Sequence, residues 1–180
     1  MTHTVSKEYK GIPDELILLT DVSVNVQLNI GYGAYLAISE EGLSLDLLRA
    51  RVKVQRFENT TSTKLEVQTI IWALRDIRLP VNKIIVYTDS QNVTGLHGRR
   101  ERFERNDYRS KKNRIHNNQK LYREFYRTTD QINCRFVKVR GHQKSNQKED
   151  IDRLFTLVDR ASRNALRNAV RQENGMTGQA

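Results

Sequence analysis

Cysteine is nearly absent from this chain of 180 residues, and the single Cys134 excludes both an intrachain disulfide and a zinc site built from cysteines. Cys134 lies in a strand-like run, so we expect a buried, unreactive thiol and a reducing, cytoplasmic setting. Only two prolines and nine glycines are present, which argues against a loop-dominated chain. Because no apolar run approaches the ~20 residues of a membrane span, and none follows a basic N-terminal segment, we expect neither a membrane helix nor a signal peptide.

Acidic residues are outnumbered by basic ones, 21 against 31, and the excess is concentrated in one stretch. Residues 98–123 contain ten Lys or Arg and three acids. This density suits a polyphosphate partner, because each phosphate contact releases condensed counterions. A solvated helix with internal ion pairs explains the charge equally well.

Hydrophobic patterning predicts one α/β domain over residues 15–170, between flexible ends at residues 1–14 and 171–180. Three consecutive strands should pair antiparallel, and the later strands, which helices separate, should join in parallel through right-handed crossovers. We therefore expect a mixed five-stranded sheet with helices on both faces. The strands are expected at residues 16–26, 31–39, 51–57, 83–87 and 132–139, and the helices at about 61–78, within 90–130, and at 150–170.

Two aspartates lie at strand positions that folding alone does not explain. Asp21 interrupts the first strand near its middle, on the same face as Ser23 and Asn25, although a solvent-facing position would also account for it. Asp89 directly follows the short apolar fourth strand, and open α/β sheets place their sites at the carboxyl ends of strands. The alternative is that Asp89 or Ser90 caps the next helix.

Two predicted helices carry further acids among apolar residues. Glu66 shares a stripe with Ile70 and Ile77 that should face the edge of the core. Equally, the sequence TKLE that ends at Glu66 fits a capping box. Asp159 follows the run LFTLV in the last helix, and Asp152, one heptad earlier, points the same way. A surface position for these aspartates fits the pattern as well.

These acids can converge at one end of the sheet if the first and fourth strands are neighbours. Unpaired carboxylates that close to one another raise one another's pKa values, and a divalent cation is the simplest compensation. Oxygen-only ligation suits Mg²⁺ or Mn²⁺ rather than zinc. Two such ions roughly 3.5–4 Å apart can activate a water and stabilise the leaving oxygen in phosphodiester cleavage.

One histidine has a placement that suits proton transfer. His142 lies in the sequence VRGHQ directly after the fifth predicted strand, and Gly141 permits a sharp turn there. A loop histidine with a near-neutral pKa can shuttle a proton, although most single loop histidines are inert. The other three histidines have no comparable placement.

Five motifs in a fixed order resemble the ribonuclease H family, and bacterial ribonuclease HI in particular. Together they cover about residues 16–170, which is nearly all of the predicted domain. Each motif by itself is weak to moderate, and their order makes the resemblance specific. The motifs are TD at residues 20–21, TTSTKLEVQTIIWAL at 60–74, VYTDSQ at 86–91, VKVRGHQ at 137–143 and LVDRASRNAL at 157–166.

The resemblance implies a ribonuclease H fold and an endonuclease that hydrolyses the RNA strand of RNA–DNA hybrids, leaving 5′-phosphate and 3′-hydroxyl ends. It also implies two Mg²⁺ ions bound with the scissile phosphate, for which Mn²⁺ can substitute. Asp159 is favoured over Asp152 because the family's last acid precedes a Leu/Ala-rich helical segment like the one here. The implied catalytic residues are Asp21, Glu66, Asp89, Asp159 and the mobile His142, of which the four acids are the implied metal ligands.

Substrate contacts are expected from polar residues near the acids and from a basic, handle-like region at about residues 97–125. The wide, shallow minor groove of a hybrid displays 2′-hydroxyls, by which a protein distinguishes RNA from DNA. Helix-start hydroxyls can also bind a phosphate, and helix capping is compatible with that role. The arginines should contact the DNA backbone without sequence preference. The expected residues are Ser23, Asn25, Thr61, Ser62, Thr63 and Gln91 near the acids, and Arg99, Arg100, Arg102 and Arg105 in the handle.

Two other functions fit parts of the pattern. A related DNA nuclease, such as a junction resolvase, could share the fold, but the GHQ sequence and the LVDRAS helix argue against it. A non-catalytic hybrid-binding module would have no need for mutually repelling carboxylates. The sequence therefore favours a monomeric ribonuclease with little sequence preference.

Overall fold

The computed structural model describes residues 14–78, 80–139 and 150–177, with side chains as far as Glu173. Five strands in this part of the chain form a single sheet. The strands are β1 (Leu16–Asn25), β2 (Ile30–Ile38), β3 (Lys53–Glu58), β4 (Ile84–Thr88) and β5 (Cys134–Lys138). The helices are α1 (Leu45–Arg51), α2 (Ser62–Asp76), α3 (Gln91–Thr94), α4 (Leu96–Arg105), α5 (Gln119–Asp130) and α6 (Asp150–Thr177).

The strand order β3-β2-β1-β4-β5 confirms the predicted mixed sheet. β2 pairs antiparallel with both β1 and β3, whereas β4 pairs parallel with both β1 and β5. The first and fourth strands are therefore neighbours, as convergence of the acids requires. The carboxyl end of β4 lies beside the middle of β1, because Leu19 is opposite Tyr87.

The sheet is covered on both faces, as predicted. Leu18 of β1 and Ile70 of α2 belong to a core that α2, α4 and α5 close on one face. Leu19, the next residue of β1, packs with Leu48 of α1 and Val158 of α6 on the other face. Burial on both faces explains why the first half of β1 is almost continuously apolar.

Two glycines of β2 allow α2 to approach the sheet closely. A Cβ atom on Gly33 would lie 2.1 Å from the Thr69 hydroxyl oxygen, and one on Gly31 would lie 2.5 Å from a methyl carbon of Leu65. Both distances are far below van der Waals contact, so any larger residue would force the Thr69 or Leu65 side chain to move. This contact sets the position of α2, and therefore of Glu66, relative to β1.

Several element boundaries differ from those expected. Helix α1 was not predicted; Ser44 caps it by accepting a hydrogen bond from the Leu47 backbone at 3.3 Å, and β3 therefore begins at Lys53. The last helix continues to Thr177 instead of ending at residue 170. Cys134 is half-buried, and burial raises the pKa of its thiol to about 11, in keeping with an unreactive group. None of the described helices combines the length and apolar character needed to cross a bilayer.

Candidate active site

Asp21 lies beneath α6, and the solvent-facing alternative is wrong. Its residue is only 9% exposed, and it occupies the face of β1 that α6 covers. The hydroxyl of Ser162 in α6 donates a hydrogen bond to Oδ2 of Asp21 at 3.0 Å. The Ser162 oxygen also lies 3.1 Å from the hydroxyl oxygen of Ser23, two residues along the same face of β1. Ser162 thus joins α6 to β1 at the carboxylate.

Burial and like charges raise the pKa of the Asp21 carboxyl group to about 7. Desolvation is the largest cause, and the charges of Asp89 and Asp159 raise the pKa further, while the hydrogen bond from Ser162 lowers it. An ionised Asp21 is consequently costly to the free protein near neutral pH. A cation at this position would remove that cost.

Ser90 caps α3, which leaves Asp89 available for another role. The hydroxyl of Ser90 accepts a hydrogen bond from the backbone N–H of Val93 at 3.1 Å. The same hydroxyl donates to Oε2 of Glu66 at 2.5 Å, which links the end of β4 to α2. Asp89 itself is exposed directly beyond the carboxyl end of β4. Of the two capping residues considered from the sequence, Ser90 is the one observed.

Glu66 faces the end of β4, and the capping-box interpretation is wrong. Helix α2 is capped by Thr61, whose hydroxyl accepts from the Lys64 backbone at 3.4 Å, so Glu66 lies too far into the helix to complete such a box. Its carboxylate accepts from Ser90 at 2.5 Å and from Ser62 at 3.4 Å. Desolvation, followed by the charge of Asp89, raises the pKa of Glu66 despite these hydrogen bonds.

Asp159 is the acid of α6 whose charge acts on Asp21. It lies one turn before Ser162, and the Nε atom of Arg163 is 2.7 Å from its Oδ1 atom. Its side chain is 26% exposed, so it borders both the buried Asp21 and the solvent. Asp152 lies in the first turn of α6, about 10 Å further along the axis at 1.5 Å per residue. This placement supports Asp159 over Asp152.

Electrostatic interactions connect the four acids in pairs. The charge of Asp89 raises the pKa values of both Asp21 and Glu66, and the charge of Asp159 raises the pKa of Asp21. Within the described residues no three His, Cys, Asp or Glu side chains are already arranged as a single metal-binding group. The donors are nevertheless all carboxylate oxygens around a buried carboxylate of raised pKa. This chemistry fits Mg²⁺ or Mn²⁺ rather than a softer metal.

His142 falls within residues 140–149, outside the described part of the chain. Its role in proton transfer therefore stays a prediction. The strand that precedes it, β5, does pair in parallel with β4, and Thr88 of β4 is opposite Lys138. The carboxyl ends of these two strands lie at the same edge of the sheet.

The expected hydroxyl and amide contacts have different surroundings. Ser23 lies within hydrogen-bonding distance of Ser162, which binds Asp21, whereas Ser62 donates directly to Glu66. Asn25 accepts a hydrogen bond from the Leu28 backbone at 3.0 Å, which stabilises the turn between β1 and β2. Thr61 caps α2, as the alternative supposed, while Thr63 and Gln91 are exposed in the first turns of α2 and α3.

Three of the four handle arginines already have intramolecular partners. The guanidinium of Arg99 donates to the Asn92 side chain at 2.8 Å and to the Gly95 carbonyl at 3.1 Å. Arg100 makes a bidentate pair with Asp130, with N–O distances of 2.5 and 2.9 Å. Intramolecular contacts therefore hold the guanidinium groups of Arg99 and Arg100 in place. Of the other two handle arginines, Arg105 pairs with Glu101, whereas the guanidinium group of Arg102 lies over the Phe103 ring.

Exposed cations without such partners lie between α4 and α5. Residues 109–115 form a small turn closed by a bridge between Arg109 and Ile115. In the part of the chain that the structure describes, no ion pair involves Lys111, Lys112 or Arg114. We call these three exposed residues the handle tip.

Sequence reasoning missed three residues that contact the acids. Ser90 directly follows Asp89, and Ser162 and Arg163 follow Asp159 at spacings of three and four. Side chains at these helical spacings lie on one face, so the sequence DRASR contained a signal for both α6 residues. No sequence feature indicated the hydrogen bond between Ser90 and Glu66, since it depends on how α2 packs on the sheet.

Comparison with known proteins identifies the family of this chain. The sequence model of the RNase H family matches residues 13–159, well over half of the chain. Two similar proteins, each named Ribonuclease H, come from Thermoanaerobacter sp. (strain X514) and Thermoanaerobacter pseudethanolicus (strain ATCC 33223 / 39E). Each is 27% identical over 113 residues, which cover 62% of this chain and 71% of the relative. With its mixed sheet and the matched region that includes all four acids, the chain belongs to the ribonuclease H family.

Proposed function

We propose that this protein is a metal-dependent endonuclease that hydrolyses the RNA strand of RNA–DNA hybrids. The observation that carries the proposal is the set of four acids linked around the buried Asp21 at the carboxyl end of β4. Family membership supports a ribonuclease, and the names of the similar proteins support this substrate class. The proposed products carry 5′-phosphate and 3′-hydroxyl ends.

Two Mg²⁺ ions are the proposed cofactor, with Mn²⁺ as a substitute, and the four acids are the residues that would hold them. Such ions supply Lewis acidity that activates a water and stabilises the leaving oxygen. Asp21 must be ionised to act as a ligand, although its pKa in the free protein is about 7. Ser162 favours the ionised form through its hydrogen bond.

The remaining roles follow from contacts with the acids. Ser90 orients the Glu66 carboxylate while it caps α3, so one hydroxyl couples helix stability to ligand placement. Arg163 restrains Asp159 and partly balances its charge. His142 is proposed to carry a proton during water activation or departure of the product.

We propose that different residues contact the two strands of the hybrid. Ser23 and Ser62 lie close enough to the acids to contact 2′-hydroxyls or phosphates of the RNA strand. The handle tip would contact the DNA backbone electrostatically. Because no base-reading element is proposed, little sequence preference is expected, and a monomeric, cytoplasmic protein completes the proposal.

Cleavage of an end-labelled hybrid with increasing Mg²⁺ tests this function. Asp89→Asn should lower the rate at least ~100-fold, since it removes a ligand without changing volume. Asp46→Asn is the matched control, because the Asp46 side chain is 90% exposed on α1 and should leave the rate unchanged. Equal rates for wild type and Asp89→Asn would refute the assignment.

Parallel substrates separate the other two functions. Preferential cleavage of duplex DNA or a four-way junction would identify a DNA nuclease instead. Hybrid binding without turnover in either Mg²⁺ or Mn²⁺ would identify a binding module. Product ends can be assigned in the same experiment, because only a 3′-hydroxyl end is extended by a polymerase.

A further inference from the structure

The part of α6 that follows Asp159 carries a row of exposed arginines. Residues 160–173 contain four arginines, one acid and no lysine. The family match ends at residue 159, so this row lies outside the matched region. We call the four residues the α6 ridge: Arg160, Arg163, Arg167 and Arg171.

The ridge faces away from the sheet. At about 100° per residue, its four arginines fall within an arc of about 80° on the helix surface. Ser162 and Ala169 lie on the opposite side, where they are buried against the strands. At 1.5 Å per residue, the ridge is about 16 Å long.

The first part of the ridge contacts Asp159, and its last residue lies near the outer strand β3. Arg163 is 2.7 Å from Asp159, as described above. Beyond the last arginine, Glu173 pairs with Arg56 of β3 at 3.3 Å, and β3 is an outer strand. The ridge therefore runs along α6 from Asp159 towards the outer strand β3.

Neither the helix dipole nor ion pairing within the helix explains these arginines. Cations favour the last turn of a helix, yet the last turn of α6 contains no basic residue. Pairs with acids four residues away also stabilise helices, but among the described residues only Arg163 of the ridge has an ion pair. Arginine without lysine suits bidentate recognition of phosphate oxygens.

We propose that the α6 ridge binds the phosphate backbone of the hybrid beyond the cleavage site. The identity of this occupant rests on the proposed function. The supporting observations are the continuity of the ridge with Asp159 and its charge, which is complementary to a polyphosphate. The contact should be independent of base sequence and should matter only for hybrids long enough to reach beyond the acids.

The test is a binding measurement in an Asp89→Asn background, so that it does not depend on turnover. The ridge variant carries Arg160→Gln, Arg167→Gln and Arg171→Gln, which keeps residues of good helix propensity. Arg163 is left intact because it contacts Asp159. Dissociation constants are measured for hybrids of about 8 and about 24 base pairs across a range of salt concentrations.

A matched control removes the same charge at the opposite end of the sheet. It carries Arg49→Gln, Arg51→Gln and Arg78→Gln. Arg51 and Arg78 line a cavity with Leu16, the first residue of β1, far from the carboxyl end of β4. Thermal unfolding of both variants should match the parent protein.

The ridge variant should bind the long hybrid about tenfold or more weakly, with a salt slope reduced by about 0.9 for each phosphate that the ridge no longer neutralises. The dissociation constant of the ridge variant for the short hybrid should change less than about twofold, because few ridge contacts are lost. The dissociation constants of the control variant should also change less than about twofold. An unchanged slope, an equal loss of affinity in the control variant, or equal losses for both hybrid lengths would overturn the proposal. If the wild type failed to cleave hybrid but the ridge variant showed this binding pattern, the ridge proposal would stand and the proposed function would be wrong.

Discussion

Ser162 donates a hydrogen bond to Asp21 across 141 positions of sequence, and this contact fixes α6 against β1. It also places Asp159, one helical turn earlier, where its charge acts on Asp21. The orientation of one metal-ligand candidate therefore depends on a neutral hydroxyl on another element. Hydrogen bonds of this kind commonly hold metal ligands in position.

Replacing Ser162 with alanine should weaken metal-dependent activity more than stability. Loss of the hydrogen bond removes an interaction that lowers the pKa of Asp21, so Mg²⁺ must compete with a more tightly held proton. We expect the Mg²⁺ concentration for half-maximal rate to rise about 10–100-fold. Ser39→Ala, at the opposite end of the sheet, is the control. An unaltered Mg²⁺ requirement in Ser162→Ala would show that the contact does not position Asp21.

Asp21 should destabilise the metal-free protein as pH rises. Its folded pKa of about 7 exceeds the ordinary value of 3.8, so the folded state holds this proton more tightly than the unfolded state. The associated stability is complete below about pH 4 and is lost as pH rises through about 7. Asp21→Asn removes the charge, and its free energy of unfolding at pH 8 should exceed that of wild type by on the order of 4 kcal/mol.

Thermal or urea unfolding in a chelator between pH 4 and 8 measures this difference. Wild type and Asp21→Asn should be similar at pH 4 and diverge towards pH 8, whereas the exposed Asp46→Asn control should follow wild type. Asp21→Asn should at the same time lose Mg²⁺-dependent cleavage. If wild type proved as stable as the variant at pH 8, burial of the Asp21 charge would not be costly.

Gly33→Ala should disturb α2 and, through it, Glu66. The added Cβ would lie 2.1 Å from the Thr69 hydroxyl oxygen and 2.9 Å from its methyl carbon. Overpacking of this kind costs about 1–3 kcal/mol, and the resulting shift of α2 should lower the cleavage rate as well. Thr69→Ala removes both atoms, so the double variant should recover much of the lost stability. Without such recovery, the clash at Thr69 would not be the cause.

Substitutions in the handle tip should weaken hybrid binding, whereas substitution of a paired handle arginine should lower stability. Replacing Lys111, Lys112 and Arg114 with alanine should reduce the salt slope of hybrid binding by up to about 0.9 per contact, with little change in stability. Arg100→Ala should instead destabilise the fold, because it leaves Asp130 without its bidentate partner. If Arg100→Ala reduced the salt slope of hybrid binding and the handle-tip variant did not, this assignment would be reversed.

Much of the site could be predicted because it follows local rules. The apolar runs indicated the strands, and the position of Asp89 after β4 indicated its place at the sheet edge without knowledge of packing. Helix α1 was missed because its seven residues present a single buried side chain, Leu48, too little for a periodic signal. The salt-bridged state of Arg100 was missed because its partner, Asp130, is 30 residues away.

The fold class, the order of the motifs and the candidate acids could be inferred without a structure, since periodicity and spacing are properties of neighbouring residues. Tertiary structure alone decided between the alternatives: that Ser90 and not Asp89 caps α3, that Asp21 is covered rather than exposed, and that most handle arginines are internally paired. Burial of Asp21 and pairing of Arg100 involve groups far apart in the sequence, which meet only when the chain packs. The cap of α3 is local, but Asp89 and Ser90 are both suitable capping residues, and only the folded backbone selects Ser90.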